Sequence, residues 1–173
     1  LPVAPVAGHG AAKARTHRCV RRGAAYAAEQ SAILNDEAFS RALETISGWP
    51  GYEPTSLVTL PGVAADAGVA SVYYKDEASR FGLGSFKALG GAYAVWRVIE
   101  RAAAEKGISP TDKAGVAEAA AGLTVTCATD GNHGRSVAWG AQAFGCKFTI
   151  YVHQTISDAR KAAIENYRSS VVR

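Results

Sequence analysis

The feature that most constrains this chain is a regular alternation in its second half. Leu123 to Ala128 is a short apolar run suited to a strand, and Asn132 to Phe144 carries helical periodicity that stops at Gly145. Cys146 to Val152 reads as a second strand, Ser157 to Tyr167 as a second helix with Ser157 as N-cap, and Val171-Val172 as the start of a third strand. Strands separated by single helices predict a parallel sheet joined by right-handed crossovers. The expected class is therefore α/β, a parallel sheet with helices on both faces. Ligands of such sheets bind beyond the carboxyl ends of the strands.

Upstream, Asn35 is the predicted N-cap of a helix that places Phe39, Ala42, Leu43 and Ile46 on one face and stops at Gly48-Trp49-Pro50-Gly51. Leu57 to Leu60, bounded by Pro54 and Pro61, predicts an edge strand, and Val69 to Lys75 a better one. The polar run from Asp76 to Gly84 must be a loop. Ser85 then opens the longest helix, with Phe86, Leu89, Tyr93, Trp96, Ile99 and Ala103 as its buried stripe and Gly107 as its end. Gly90-Gly91 inside that helix costs about 1 kcal/mol per glycine relative to alanine, which implies that something packs very close. Ile108 to Gly122 is an alanine-rich connection with room for a helical turn.

Two loops carry the chemistry, and both follow predicted strands, so both are expected to open onto one sheet edge. The first runs from Phe81 to Gly91 through Ser85-Phe86-Lys87. It matches neither Gly-x-Gly-x-x-Gly nor the Walker pattern, which weighs against a nucleotide loop. It leaves a lysine in the first turn of a helix, where the helix dipole and partial desolvation both disfavour the ammonium form. A neutral amine is the form that adds to an aldehyde, so Lys87 suits Schiff-base chemistry; a plain solvated lysine fits the same position. The second is Thr129-Asp130-Gly131-Asn132-His133-Gly134-Arg135. Gly131 allows a tight turn, and Asn132 begins a helix whose free amides can face an anion. Asp130 fits a carboxylate base at the sheet edge, and Asp130 with Asn132 fits equally a turn and a helix cap.

Together these segments are specific. Lys75-Asp76-Glu77, Arg80-Phe81-Gly82-Leu83, Phe86-Lys87-Ala88-Leu89-Gly90-Gly91 and Thr129 to Arg135 resemble the pyridoxal-phosphate enzymes of the tryptophan-synthase β-subunit fold, fold type II, and most closely the 2,3-diaminopropionate ammonia-lyases. The resemblance runs from about Asn35 to Arg173. It implies pyridoxal 5′-phosphate as cofactor, an internal aldimine on Lys87, a hydrogen bond from Asn132 to the cofactor's 3′ oxygen, and Gly131 and His133 on the same cofactor-binding loop, His133 in a structural role. It implies Asp130 as the base that removes the α-proton from one enantiomer of a small amino-acid substrate, with pyruvate and ammonia as products. Serine and threonine dehydratases usually carry serine at the Asp130 position and are the alternative, beside a non-catalytic piece that needs a missing half.

The chain departs from the family at Thr55-Ser56-Leu57, where Thr-Pro-Leu is usual, and at Tyr167-Arg168-Ser169-Ser170, where Leu-Gly-Ala is usual. The family's glycine-rich phosphate loop and second catalytic aspartate have no counterpart in these residues. No methionine stands among the 173 residues, position 1 included, and a strand begins at Val171 with nothing after it. The chain is therefore expected to be the N-terminal part of a larger unit that is a homodimer when full length. Its expected organisation is a basic, loosely ordered arm over 1–30, a segment over 31–84 belonging to the larger domain, and a βαβ-type smaller domain over 85–173.

Composition excludes other classes. The net charge of +4 derives largely from Lys13, Arg15, Arg18, Arg21 and Arg22, which precede the first acid, Glu29. Without that arm the charge is near neutral, so no nucleic-acid partner is inferred. No run approaches the roughly twenty apolar residues of a membrane helix, and no membrane partner is inferred. Cys127, His133, Cys146 and His153 lack zinc spacing, so no metal site is expected. Cys127 and Cys146 sit in apolar runs, as inert thiols of a reducing, cytoplasmic compartment do.

Overall fold

The computed structural model describes residues 25–129, 131–167 and 170–173; most of the basic arm, Asp130, and the Arg168-Ser169 part of the last turn lie outside the described residues. The chain divides into two compact units, 1–38 and 39–173. In the first, a short helix α1 (Ala28–Ser31) is followed by Asn35, whose side-chain carbonyl accepts the Ala38 amide at 2.8 Å. That is the predicted N-cap, and it starts α2 (Asp36–Ser47).

Within 39–173 there are two sheets. Strands β1 (Leu57–Thr59) and β2 (Tyr73–Lys75) pair antiparallel, with Val58 opposite Tyr74. Between them lies α3 (Pro61–Ala67), which sequence reading missed. Both of its ends were marked: Pro61 stands at the first helical positions, where its missing N–H costs nothing, and Gly68 closes the helix at φ 65°. The expected strand from Val69 shortens to Tyr73–Lys75, because the Val69 amide donates to the Ala64 carbonyl at 3.0 Å and closes this helix instead of joining the sheet. Leu57, Val58, Tyr73 and Tyr74 all remain exposed.

The second sheet has the order β3-β4-β5, formed by β3 (Thr124–Ala128), β4 (Lys147–Tyr151) and β5 (Ser170–Val172), and every pair is parallel. This is the predicted βαβαβ run. Four helices serve it: α4 (Ala88–Glu105), α5 (Lys113–Ala121), α6 (Asn132–Phe144) and α7 (Asp158–Glu165). The nine-residue α5 replaces the single turn expected there; Asp112 accepts the Gly115 amide at 3.0 Å and starts it. Its alanines carry helix propensity but no apolar stripe, which is why periodicity did not find it.

The core joins Val95 and Ile99 of α4, Val137, Ala138 and Ala141 of α6, and Ile164 of α7 to Ile150 of β4, with Val125, Cys127 and Phe148 packed against them. Along β3 these residues alternate with exposed Thr124, Thr126 and Ala128, as the period of a strand requires. The buried stripe of α4 is Ala88, Gly91, Ala92, Val95, Ile99 and Ala103; Phe86, expected on it, is exposed, and Leu89, Tyr93 and Trp96 are half-buried. Where α6 crosses at Gly91 and Ala92 the inner face is small, because α6 lies too close there for larger residues. Burial raises the pKa values of both the Cys127 and the Cys146 thiols, which makes them poor nucleophiles. No described helix is long and apolar enough to cross a membrane.

Candidate active site

The two chemistry-bearing loops do not share a sheet edge. β2 belongs to the antiparallel pair, so the loop after it reaches the site by another route. Packing of α4 on α6 brings them together. A Cβ placed on Gly91 would lie 1.9 Å from Ser136 Oγ and 3.5 Å from His133 Nδ1; one on Gly140 would lie 2.8 Å from both Cα and Cβ of Ala92. Farther along, Trp96 meets Phe144 with ring centroids 5.3 Å apart. Contacts therefore advance in the same direction on both helices, and their N-termini lie at one end. Lys87 precedes the first residue of α4 and Gly131 precedes the first of α6.

Lys87 is exposed, which corrects the expectation of partial desolvation: the helix proper begins one residue later, at Ala88. The Lys87 carbonyl accepts the Gly91 amide at 2.8 Å, and Nζ lies 4.6 Å from the centroid of the Phe86 ring. On the facing loop, Thr129 Oγ1 accepts the amides of Gly131 at 3.4 Å and Gly134 at 3.3 Å. The tight spot is Gly134 and not Gly131. A Cβ on Gly134 would come within 2.3 Å of Thr129 Cγ2, whereas one on Gly131 meets nothing within 4 Å. Asn132 and His133 are exposed, and the His133 carbonyl accepts the buried Ser136 hydroxyl at 2.9 Å. Asp130, the candidate base, lies outside the described residues.

Beside this loop is a cavity of about 280 Å³ lined by Gly131, Asn132, Arg135 and Arg160. Sequence reading gave these two arginines no role. Nε of Arg135 is buried without a hydrogen-bond partner. A helix N-terminus and two guanidinium groups together make a place for an anion. A larger cleft of about 840 Å³, lined by Trp49, Trp96, Trp139 and Phe144, contains no lysine, serine or histidine.

The loop leading to Lys87 is anchored by ions. Arg80, 6% exposed, donates from Nε to Glu77 Oε2 at 2.8 Å and from Nη2 to Glu77 Oε1 at 3.1 Å. Hydrogen bonding from Arg80 pulls the Glu77 pKa down to about 2, against the opposing effect of burial and with help from Thr55 and from the charges of Arg80 and Lys75. A carboxylate whose pKa is depressed by folding contributes stability that is complete above its unfolded value, near 4.5, and is lost as pH falls through about 2. Acidification from pH 5 to pH 3 is expected to remove about 2 kcal/mol through this group. Urea unfolding at the two pH values measures the loss, and Glu77→Gln should flatten that part of the dependence.

Against this geometry the comparisons with known proteins are direct. The family model described as pyridoxal-phosphate dependent enzyme matches residues 48–173. The chain belongs to this family. Diaminopropionate ammonia-lyase of Escherichia coli (strain K12) is 40% identical over 123 residues, covering 67% of this chain and 29% of the relative. The crystal structure of the apo form of the Escherichia coli enzyme superposes with a TM-score of 0.69 at 33% identity, over 79% of this chain and 37% of that one. Another, in complex with an aminoacrylate-PLP azomethine reaction intermediate, gives a TM-score of 0.61 at 33% identity over 78% of this chain and 33% of that one. The chain thus spans about a third of the length of these relatives, and its fold is part of fold type II. The residues fit the family's cofactor. An exposed primary amine stands at Lys87, the group that condenses with the cofactor's aldehyde.

Proposed function

We propose that this chain is the N-terminal portion of a diaminopropionate ammonia-lyase, which converts 2,3-diaminopropionate to pyruvate and ammonia by α,β-elimination. The observation that carries the reading is the approach of Gly91 to His133 and Ser136, which brings the start of the Lys87 helix to the start of the helix after Asp130-Gly131. Pyridoxal phosphate, when bound, supplies the electron sink that makes a Cα–H bond acidic. Lys87 would hold the cofactor through its side-chain amine, and Gly131, Asn132 and His133 would complete the binding loop, Asn132 donating its side-chain amide. Arg135, Arg160 and the first amides of α6 hold the substrate carboxylate. Asp130 would accept the α-proton of one enantiomer, and the Lys87 amine would carry protons at the same centre. Residues 31–84 belong with the larger domain and 85–173 form the smaller one; the assembly is a cytoplasmic homodimer.

Pyruvate release, followed through coupled reduction to lactate, tests this in the chain supplied with pyridoxal phosphate and with the polypeptide corresponding to the unmatched remainder of the Escherichia coli relative. Pyruvate is expected from diaminopropionate and not from serine, and Asp130→Asn should abolish release from one enantiomer. Equal release from serine would identify a serine or threonine dehydratase instead. No release from either, with the remainder folded, would make the chain non-catalytic.

A further inference from the structure

Nothing on Lys87 itself fixes where its amine stands, because the side chain is exposed and faces the neighbouring Phe86 ring at 4.6 Å. The constraint lies upstream. Arg80 Nη1 donates to the Glu53 carbonyl at 2.7 Å and Nη2 to Thr55 Oγ1 at 3.2 Å, while its Nε and Nη2 engage both oxygens of Glu77. Thr55 in turn donates its hydroxyl to Glu77. One buried guanidinium thereby ties the segment before β1 to the turn after β2, with the Tyr52 ring 5.3 Å from its Cζ.

The next residue, Phe81, is the one non-glycine residue at positive φ among the described residues, at 49°. That conformation is strained for a side chain with a Cβ and persists only where the surroundings impose it. The Phe81 ring is held 4.8 Å from Trp139 of α6 and 6.0 Å from Trp49. From there Gly82 and Gly84, both at φ 69°, carry the backbone around a Leu83 that is 2% exposed, and Lys87 follows. We propose that the Thr55–Glu77–Arg80 cluster is the positioning device for Lys87: it acts through the Phe81 turn, setting where the amine stands relative to the α6 loop. This rests on the reading of Lys87 as the cofactor-bearing amine.

The test measures two things in the wild-type chain, Glu77→Gln and Thr55→Val. The first, amide hydrogen exchange across 82–88 compared with α6, needs no cofactor. The second is the rate at which pyridoxal phosphate and borohydride label Lys87, with acylation of Lys106 and Lys113 as the control. In Glu77→Gln, exchange across 82–88 should rise and Lys87 labelling should slow, each about tenfold for a lost charge-assisted bond, while α6 exchange and control acylation stay unchanged. Should Glu77→Gln fail to fold, Thr55→Val, which removes one hydroxyl, decides by the same two readings. Exchange across 82–88 that is unchanged, that rises equally in α6, or that rises without slowing Lys87 labelling overturns the proposal. A wild-type chain that takes no label at Lys87 overturns the cofactor reading, and the exchange rates then decide the clamp alone.

Discussion

Lys87→Ala should eliminate borohydride-stable attachment of pyridoxal phosphate at the head of α4, a loss of at least about a hundredfold in labelled protein relative to the other lysines. A primary amine is the group that condenses with the cofactor aldehyde, and alanine supplies none. Lys87 is exposed and stands at the end of α4 that meets the Asn132 loop, whereas Lys106 and Lys113 lie beyond the far end of α4. Peptide mapping after reduction locates the label. Lys87→Arg gives the same result for a different reason, because a guanidinium keeps its charge and is not nucleophilic at neutral pH. A label that persists on another lysine, in the same yield, would detach Lys87 from the cofactor. The thermal midpoint should hardly move in either variant, since the side chain is exposed.

Much of the fold around the candidate site was legible in the sequence alone. The β3 to β5 run was, because strand and helix alternate there with clean punctuation: Gly145 closes α6, and Asn132 opens it at the predicted residue. Juxtaposition of Lys87 with the Asn132 loop was legible only through resemblance. Periodicity placed Phe86, Leu89, Tyr93 and Trp96 inward, and the structure turns Ala88, Gly91 and Ala92 inward instead. Hydrophobicity scales weight large side chains, whereas a helix pressed onto another selects small ones on the contacting face. The Gly90-Gly91 pair was the available clue, and only its second member is the contact. Phe39, Leu57, Tyr73 and Tyr74 have the composition of interior residues and are exposed in a chain that spans about a third of its relatives' length. Arg80 was hidden for the opposite reason: a lone arginine in a polar loop carries no periodic signal, and its burial depends on Glu53, Thr55 and Glu77, of which two lie over twenty residues away in sequence.

The α4–α6 contact that brings Lys87 and the Asn132 loop to one end leaves no room for a larger side chain at Gly140. Gly140 faces Ala92 so closely that even a Cβ would stand 2.8 Å from two of its carbons, one of them backbone. Backbone cannot rotate away as a side-chain tip does, so valine at this position must separate the helices. Overpacking of this kind typically costs about 1–3 kcal/mol, and a branched side chain against backbone lies beyond that range, at about 4 kcal/mol. Gly140→Val is thus expected to bring the chain to the edge of unfolding, measured by circular dichroism in urea, and to separate Lys87 from the Asn132 loop in whatever remains folded. Gly90 provides the internal contrast. It sits in α4, two residues before Ala92, but on the exposed side, where an added Cβ would meet nothing within 4 Å. Gly90→Ala should therefore stabilise the chain by about 0.5–1 kcal/mol through helix propensity alone. Opposite signs for two glycines of α4 and α6 follow from one distance, the gap to the facing helix. If both substitutions destabilise equally, the close approach of α4 to α6 is not what holds the two loops together.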